Sequence, residues 1–209
     1  MTTHVFMIVD MSGSMYDLAP DVRGGFNSFL QDLESSSDDY SFTVTLFDTQ
    51  FISLCTAATW EATPRLDNKN YRPRGMTALL DAVGKTVTDF EAKDVLKDGD
   101  KVLVIVQTDG RENSSSEFRL EQISTMIEER EATKKWSFVF LGAGPDVWTQ
   151  AGSMGFQRAN TVSYGRASTR SSYSGMSRAT KSFAGGASGQ TVSSTIAEAT
   201  GGETHEEEK

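Results

Sequence analysis

Three uninterrupted apolar runs constrain the fold of this chain more than any other feature. They cover residues 5–9, 102–106 and 138–141. Strands with apolar residues at every position, rather than at alternate positions, are typical of a parallel sheet that is covered on both faces. The three runs therefore predict strands at the centre of a sheet, with helices packed above and below it.

Amphipathic patterns typical of helices lie between these runs. Apolar residues recur at intervals of three and four over 18–33 and over 79–90, which gives each predicted helix one apolar face. Pro20 and Asp21 suit the first turn of the first helix. Both segments are therefore predicted to pack against the buried strands.

A third helix is predicted to follow the 102–106 strand. Ser114 and Glu117 have the spacing of a capping box, which predicts that the helix begins there. Leu120 and Ile123 then lie three residues apart, and Ile127 follows after another four. We expect all three to face inward.

Weaker patterns predict the remaining elements. Apolar residues alternate with Ser and Thr over 41–47, which predicts a half-buried strand. A short turn then leads into a second strand at 51–55, so that the two form a hairpin. Beyond the third apolar run, the sequence predicts helices over 146–154 and 168–183 and an edge strand over 160–164.

Strands that alternate with helices predict βαβ units and therefore a fold of the α/β class. We expect a doubly wound, mostly parallel open sheet with helices on both faces and one short antiparallel strand. This domain is predicted to cover 1–183. Residues 184–209 are rich in Gly, Ser, Thr and Glu, and we expect them to form a disordered acidic tail because they contain little apolar surface to bury.

Five oxygen-bearing side chains lie in three loops next to these predicted elements. Asp10, Ser12 and Ser14 follow the first strand, Thr77 precedes the second helix, and Asp109 follows the 102–106 strand. Because the carboxyl ends of parallel strands line the ligand-binding crevice of such sheets, we expect the loops to meet there. Two carboxylates and three hydroxyls, without an imidazole or a thiolate, favour Mg²⁺, Mn²⁺ or Ca²⁺ over Zn²⁺.

The pattern Asp-x-Ser-x-Ser, followed by a Thr and then an Asp, resembles the metal-ion-dependent adhesion site (MIDAS) of von Willebrand factor A domains. The resemblance covers roughly residues 3–165. The segments 75–77, Gly-Met-Thr, and 108–113, Thr-Asp-Gly-Arg-Glu-Asn, are similar to those of small stand-alone bacterial and phage members. Each motif residue is also an ordinary helix cap or turn residue, but five in three correctly placed loops favour the metal site.

The resemblance carries expectations about the site and the function. It implies that Ser12, Ser14 and Thr77 contact the cation directly, and that Asp10 and Asp109 act directly or through water. It implies a strand order of 3-2-1-4-5-6, with the short hairpin strand antiparallel. It also implies a divalent-cation-dependent protein-binding module, for adhesion or scaffolding, that coordinates an Asp or Glu carboxylate of its partner.

One feature of some relatives is incomplete in this sequence. Those relatives carry two carboxylates just after the motif, where they bind a second cation. Here Asp17 is followed by Leu18. We therefore expect no second metal site, and we expect Asp17 to cap the first helix.

An enzymatic alternative uses the cation as a Lewis acid in a hydrolase or transferase. Such a reaction needs a general base, and the two histidines are His4, before the first strand, and His205, in the tail. Neither is near the predicted site, so we expect no catalytic residues and no enzyme activity. A third alternative is a structural component of a phage particle, since relatives occur in phage genomes.

Composition narrows the classes of partner. A net charge of −9 argues against binding to nucleic acid, which depends on Lys and Arg. The first residues lack the pattern of a signal peptide, and no apolar run approaches the ~20 residues of a membrane span. We therefore expect a cytoplasmic protein without a membrane partner, or a virion-associated one if the phage alternative holds.

Two further features have ordinary interpretations. Cys55 is the only cysteine and lies among apolar residues, which is typical of a buried residue rather than a reactive thiol. Arg166, Arg170, Arg178 and Lys181 recur at helical spacing. We expect a solvated helix face there, with binding to an acidic partner or to the Glu-rich tail as the alternative.

Overall fold

A six-stranded sheet lies at the centre of the chain in a computed structural model, which describes residues 1–143 and 146–204. Its strands in chain order are β1 (Thr2–Asp10), β2 (Asp39–Phe47), β3 (Phe51–Ala58), β4 (Lys101–Thr108), β5 (Trp136–Gly142) and β6 (Thr161–Ser163). The order across the sheet is β3-β2-β1-β4-β5-β6. All neighbours are parallel except β2 and β3. The predicted fold class and strand order are therefore confirmed.

Within the described residues, six helices cover the sheet in two layers. They are α1 (Ala19–Glu34), α2 (Leu79–Glu91), α3 (Leu120–Ala132), α4 (Val147–Ser153), α5 (Thr169–Ala184) and α6 (Gly189–Thr200). Apolar residues of α1, α5 and α6 form one core with one face of the sheet. Those of α2, α3 and α4 form a second core on the other face. Short 3-10 segments at Gly13–Leu18, Arg158–Asn160 and Arg166–Ser168 connect these elements.

The central strand β1 shows why the apolar runs are uninterrupted. Side chains along a strand alternate between its two faces. Met7 belongs to the core formed with α1, whereas its neighbours Phe6 and Ile8 belong to the core formed with α2. Because both faces are covered, every position of the run is buried. The strands that end at the site are therefore held from both sides.

Strand β2 is more buried than its alternating pattern predicted. Thr43 and Thr45 are buried together with the apolar residues on the opposite face. The hydroxyl of Thr45 forms a 2.8 Å hydrogen bond with that of Thr86 on α2. The hydroxyl of Thr43 accepts the backbone N–H of Ala57 on β3. The prediction of a half-buried strand was therefore wrong, because hydrogen bonds to their hydroxyls let these polar residues be buried.

Helix α3 begins later than the sequence predicted. Its first residue is Leu120, which is 41% exposed, and the side chain of Gln122 accepts a hydrogen bond from the backbone N–H of Arg119. The predicted capping box fails because the carboxylate of Asp81, on α2, accepts the N–H groups of residues 116–118 instead. Ser114 therefore caps nothing, whereas the predicted inward positions of α3 at 123 and 127 are fully buried.

The predicted disordered tail is wrong for residues 189–200, which form α6. Val192 and Ile196 on this helix are fully buried. Gly175 of α5 permits the close approach of the two helices, since a Cβ atom built there would lie 2.8 Å from the Cβ of Ala199. After α6, Glu203 pairs through its backbone with Ser163, the last residue of β6. Residues 205–209 of the predicted tail, including His205, lie outside the described residues.

The described part of the chain contains no helix that is long and apolar enough to cross a lipid bilayer.

Candidate metal centre

Two neighbouring parallel strands bring the carboxylate loops together. Asp10 is the last residue of β1, and Asp109 directly follows β4. The two strands pair in register, with Val9 opposite Gln107. The loops that leave them are therefore adjacent at one edge of the sheet, as the sequence predicted.

Asp10 is a fully buried carboxylate held by two hydrogen bonds. Its Oδ1 accepts the backbone N–H of Ser12 at 2.6 Å, and its Oδ2 accepts the hydroxyl of Thr108 at 2.5 Å. Burial penalises the charged form and raises the pKa of Asp10 to about 6. No Lys, Arg or His of the described chain forms an ion pair with it.

The two serines link the Asp10 loop to Asp109. The hydroxyl oxygens of Ser12 and Ser14 are 3.0 Å apart, and the Ser14 hydroxyl donates to Oδ1 of Asp109 at 2.5 Å. The side chain of Asp109 is only 1% exposed. A row of three oxygen-bearing groups thus connects the first loop to the third.

The loop that carries Thr77 is fastened to both of the others. The carbonyl of Gly75 accepts the N–H of Gly13 at 3.2 Å in the first loop. The backbone N–H of Thr77 donates to the side-chain oxygen of Asn113, and the N–H of Asn113 donates back to the carbonyl of Thr77. These bonds hold the backbone of Thr77 at the site.

Gly110 marks the point at which the three loops converge. A Cβ atom built on this glycine would lie 2.7 Å from Oγ1 of Thr77, 3.2 Å from Oδ2 of Asp10 and 3.4 Å from Oγ of Ser12. Any larger residue would fill the space that these oxygens face. The glycine therefore keeps open a small cradle lined by oxygen atoms from separate loops.

The chemistry of this cradle fits a hard divalent cation. Within the described residues, no group of three or more His, Cys, Asp or Glu side chains is placed to hold a metal ion. A cation here would therefore depend on the hydroxyls of Ser12, Ser14 and Thr77 in addition to the two carboxylates. Neutral and anionic oxygen ligands suit Mg²⁺, Mn²⁺ or Ca²⁺.

Arg166 reaches the centre from the C-terminal part of the fold. Its guanidinium forms an ion pair with Oδ2 of Asp109, and its Nη2 donates to the carbonyl of Ser14 at 2.8 Å. The sequence predicted a solvated helix face for this residue and for Arg170, Arg178 and Lys181. Arg170 and Arg178 are exposed on α5 and Lys181 is half-buried there, but Arg166 precedes the helix and contacts the site.

Tyr71 is a second residue of the site that the sequence did not reveal. It lies in the polar stretch between β3 and α2, yet it is fully buried and its hydroxyl donates to the carbonyl of Asp10 at 2.6 Å. Thr108 binds the Asp10 carboxylate, and the sequence pattern indicates it only as the neighbour of Asp109. The proximity of these groups depends on tertiary contacts, which leave no local pattern.

Asp17 does not cap α1, and His4 lies far from the cradle. The predicted capping role of Asp17 is wrong, because the N-cap of α1 is Leu18 and no side chain caps that end. His4 lies near the start of β1, whereas Asp10 is at its end. The Nε2 of His4 is 3.4 Å from Oδ2 of Asp100. Six strand residues at ~3.3 Å each separate it from Asp10 by roughly 20 Å.

Cys55 of β3 is partly buried. Its thiol contacts the carbonyl of Phe42 on the neighbouring strand at 3.7 Å. Burial raises the pKa of the Cys55 thiol, which disfavours the reactive thiolate. The structural interpretation of this cysteine agrees with that environment.

No family model matches the sequence, and no curated protein matches it. Solved structures are similar at low identity. Proximal thread matrix protein 1 (PTMP1) from the mussel byssus has a TM-score of 0.61 and 15% identity over 88% of this chain and 45% of that chain. Manganese-loaded Plasmodium vivax TRAP protein has a TM-score of 0.60 and 17% identity, over 81% of this chain and 70% of that chain.

A von Willebrand factor type A protein from Catenulispora acidiphila is similar with a TM-score of 0.56 and 15% identity, over 85% of this chain and 42% of that chain. A further PTMP1 structure has a zinc-occupied MIDAS motif. The chain spans less than half the length of PTMP1. Strand order, helical layers and these similarities agree, and the chain has the fold of a von Willebrand factor A domain.

Proposed function

We propose that this chain is a protein-binding module that holds one divalent cation, Mg²⁺ or alternatively Mn²⁺ or Ca²⁺, and recognises a partner through it. Ser12, Ser14 and Thr77 would contact the cation, and Asp10 and Asp109 would contact it directly or through water. The observation that supports this most strongly is the cradle at Gly110, where side-chain oxygens of Asp10, Ser12 and Thr77, from two other loops, face one point.

The charge balance of this site supports an acidic partner. The three proposed direct ligands with hydroxyl groups are neutral, and Asp10 is hydrogen-bonded by Ser12 and Thr108. A cation held largely by neutral oxygens favours an anionic oxygen at an open coordination position. An Asp or Glu carboxylate of the partner supplies one. Manganese in the TRAP structure and zinc at the MIDAS motif of a PTMP1 structure are properties of those proteins, and they support the binding of a divalent metal by this fold.

We propose a binding role rather than a catalytic one. A Lewis-acid reaction in a hydrolase or transferase needs a positioned general base within hydrogen-bond reach of its substrate. His4 lies at the other edge of the sheet against Asp100. Asp10, the most buried carboxylate of the site, is engaged by two donors. These placements favour recognition over turnover.

Affinity capture tests the proposal. The immobilised chain is exposed to a lysate of its source in Mg²⁺ and in EDTA, beside Thr77→Ala and the control Thr195→Ala on α6. We expect a protein that is captured by the wild type and the control in Mg²⁺ but not in EDTA or by Thr77→Ala. Replacing one acidic residue of that protein by its amide should abolish capture. Capture that persists in EDTA, or metal-dependent turnover of a phosphate ester or peptide, would refute the proposal.

A further inference from the structure

A groove of about 570 Å³ lies beside the metal centre. One wall is the 3-10 segment Gly13–Leu18 with the start of α1, and the other is the loop around residues 68–73. Tyr71, in this loop, lines the groove, and its hydroxyl donates to the carbonyl of Asp10. The backbone N–H of Arg72 also contacts the sulfur of Met11. The groove therefore adjoins the Asp10 loop directly.

Exposed apolar side chains border the same region. Four large apolar side chains are exposed in the described chain, namely Met1, Tyr16, Met76 and Leu120. Tyr16, which is 72% exposed, lines the groove two residues after Ser14. Met76, which is 52% exposed, immediately precedes Thr77. Large side chains left in water beside a site favour contact with a partner protein.

The groove is basic although the chain is acidic. Arg23 and Arg72 line it, and neither guanidinium forms an ion pair within the described residues. They bind backbone carbonyls, Arg23 that of Tyr71 and Arg72 that of Asn68. Asp17 is the one acidic residue among the lining residues. Two guanidiniums and one carboxylate leave a net positive groove in a protein of net charge −9.

From these observations we infer that the groove binds a second acidic side chain of the same partner segment whose first carboxylate engages the metal centre. The occupant is an acidic peptide segment that also packs an apolar or aromatic side chain on Tyr16. Guanidinium groups bind carboxylates through paired hydrogen bonds, and the two arginines are the basic residues available in the groove. This inference rests on the proposed function for the first carboxylate, whereas the second contact depends on Arg23 and Arg72.

Selection of peptides tests this inference even while the partner is unidentified. A library of displayed random dodecapeptides is panned on the wild type in Mg²⁺ and in EDTA, and on Arg23→Gln/Arg72→Gln in Mg²⁺. Arg72→Gln alone serves as a second variant because Arg72 is exposed. Arg170→Gln/Arg178→Gln is the matched control, since it removes two exposed arginines of α5. Circular dichroism establishes that each variant is folded.

We expect wild-type selections in Mg²⁺ to yield peptides with at least two acidic residues. Peptides selected on the groove variants should keep the preference for one acidic residue and lose the preference for a second. In fluorescence anisotropy, a selected two-acid peptide should bind Arg23→Gln/Arg72→Gln about 3- to 10-fold more weakly, as expected for loss of exposed ion pairs. Its one-acid analogue should bind both proteins equally, and the control variant should behave as the wild type.

The other outcomes separate the two proposals. If peptides selected on the groove variants still contain two acidic residues and still depend on Mg²⁺, the proposed role of the groove is refuted. The proposed metal-dependent binding is then unaffected. Selection that is equal in EDTA but lost on the groove variants overturns the metal function and supports the groove as an acidic-peptide site. Enrichment of peptides without acidic residues overturns both.

Discussion

The carboxylate of Asp109 joins the metal centre to the C-terminal part of the fold. Its Oδ1 accepts the Ser14 hydroxyl, and its Oδ2 pairs with Arg166. The Asp109 side chain is 1% exposed and that of Arg166 is 44% exposed, so the pair is shielded from water on one side. A guanidinium and a divalent cation can both supply positive charge to this carboxylate.

Replacement of Arg166 by Ala should therefore lower stability more in EDTA than in Mg²⁺. In EDTA the variant leaves Asp109 without its cationic partner, at a cost of about 1–3 kcal/mol. For a domain of this size, that is a fall of roughly 2–12 °C in melting temperature. A bound cation should offset part of the loss. The difference in melting temperature between Mg²⁺ and EDTA should therefore be larger for Arg166→Ala than for the wild type. Arg170→Ala is the control, and an equal loss under both conditions would contradict the interpretation.

The burial of His4, near the start of β1, predicts that the stability of the fold depends on pH. Burial lowers the pKa of His4 below its ordinary 6.5, although Asp100 acts to raise it. The unfolded chain then takes up this proton at a higher pH than the folded chain does. This contribution to stability is therefore complete above about pH 6.5 and is lost as the pH falls towards the lower pKa of the folded state.

The expected result is that the free energy of unfolding falls less in His4→Gln than in the wild type between pH 7.5 and pH 5.5. Denaturant unfolding of both proteins at both pH values measures these changes. Comparison of the two proteins isolates the effect of His4, because the other titrating groups are common to both. An identical loss in the variant would show that His4 is not responsible.

At the scale of the elements, two carboxylates hold the loop between β4 and α3 against the start of α2. Glu112 accepts the N–H of Leu80, and Asp81 accepts the N–H groups of residues 116–118. Although burial acts to raise the pKa of Asp81, these hydrogen bonds hold it below its ordinary value. The sequence predicted a capping box at Ser114 because that spacing is local, whereas the bonds that replace it come from another helix.

Replacement of Asp81 by Ala should destabilise the fold by about 1–3 kcal/mol, because backbone donors lose their acceptor. Asp89→Ala, at an exposed position of the same helix, should change stability by less than about 0.5 kcal/mol. Denaturant titration of both variants measures the difference. Equal effects would mean that the loop is held by other contacts.

For the whole molecule, the burial pattern explains which parts of the fold were predictable. Runs of apolar residues identify the central strands because both faces of the sheet are covered. Apolar residues that recur at intervals of three and four identify the helices, because each helix has one buried face. Four of the five proposed metal ligands could be placed together from the sequence because they follow the ends of the neighbouring strands β1 and β4. Thr77 precedes α2, and the prediction that its loop joins them depended on the order of the motif. Arg166 and Tyr71 were missed because their contacts cross from other elements. Helix α6 was missed because few apolar residues suffice where Gly175 admits close packing.

Replacement of Ile196 by Ala tests whether the C-terminal segment is part of the folded domain. A fully buried Ile cut to Ala costs about 2–5 kcal/mol, whereas the same change in a disordered tail would cost nothing. Thr195→Ala is the control on the same helix. If both variants melted at the same temperature as the wild type, this result would contradict the described position of α6.

The most direct test of the central claim is the binding of Mn²⁺ to the purified chain, followed by the electron paramagnetic resonance signal of free Mn²⁺. After treatment with EDTA and its removal, the wild type should bind one equivalent, and Mg²⁺ should compete for it. Ser12→Ala/Ser14→Ala should lose this binding while remaining folded, because two of the proposed ligands are gone. Absence of binding by the wild type, or undiminished binding by the folded double variant, would contradict a metal centre at these residues.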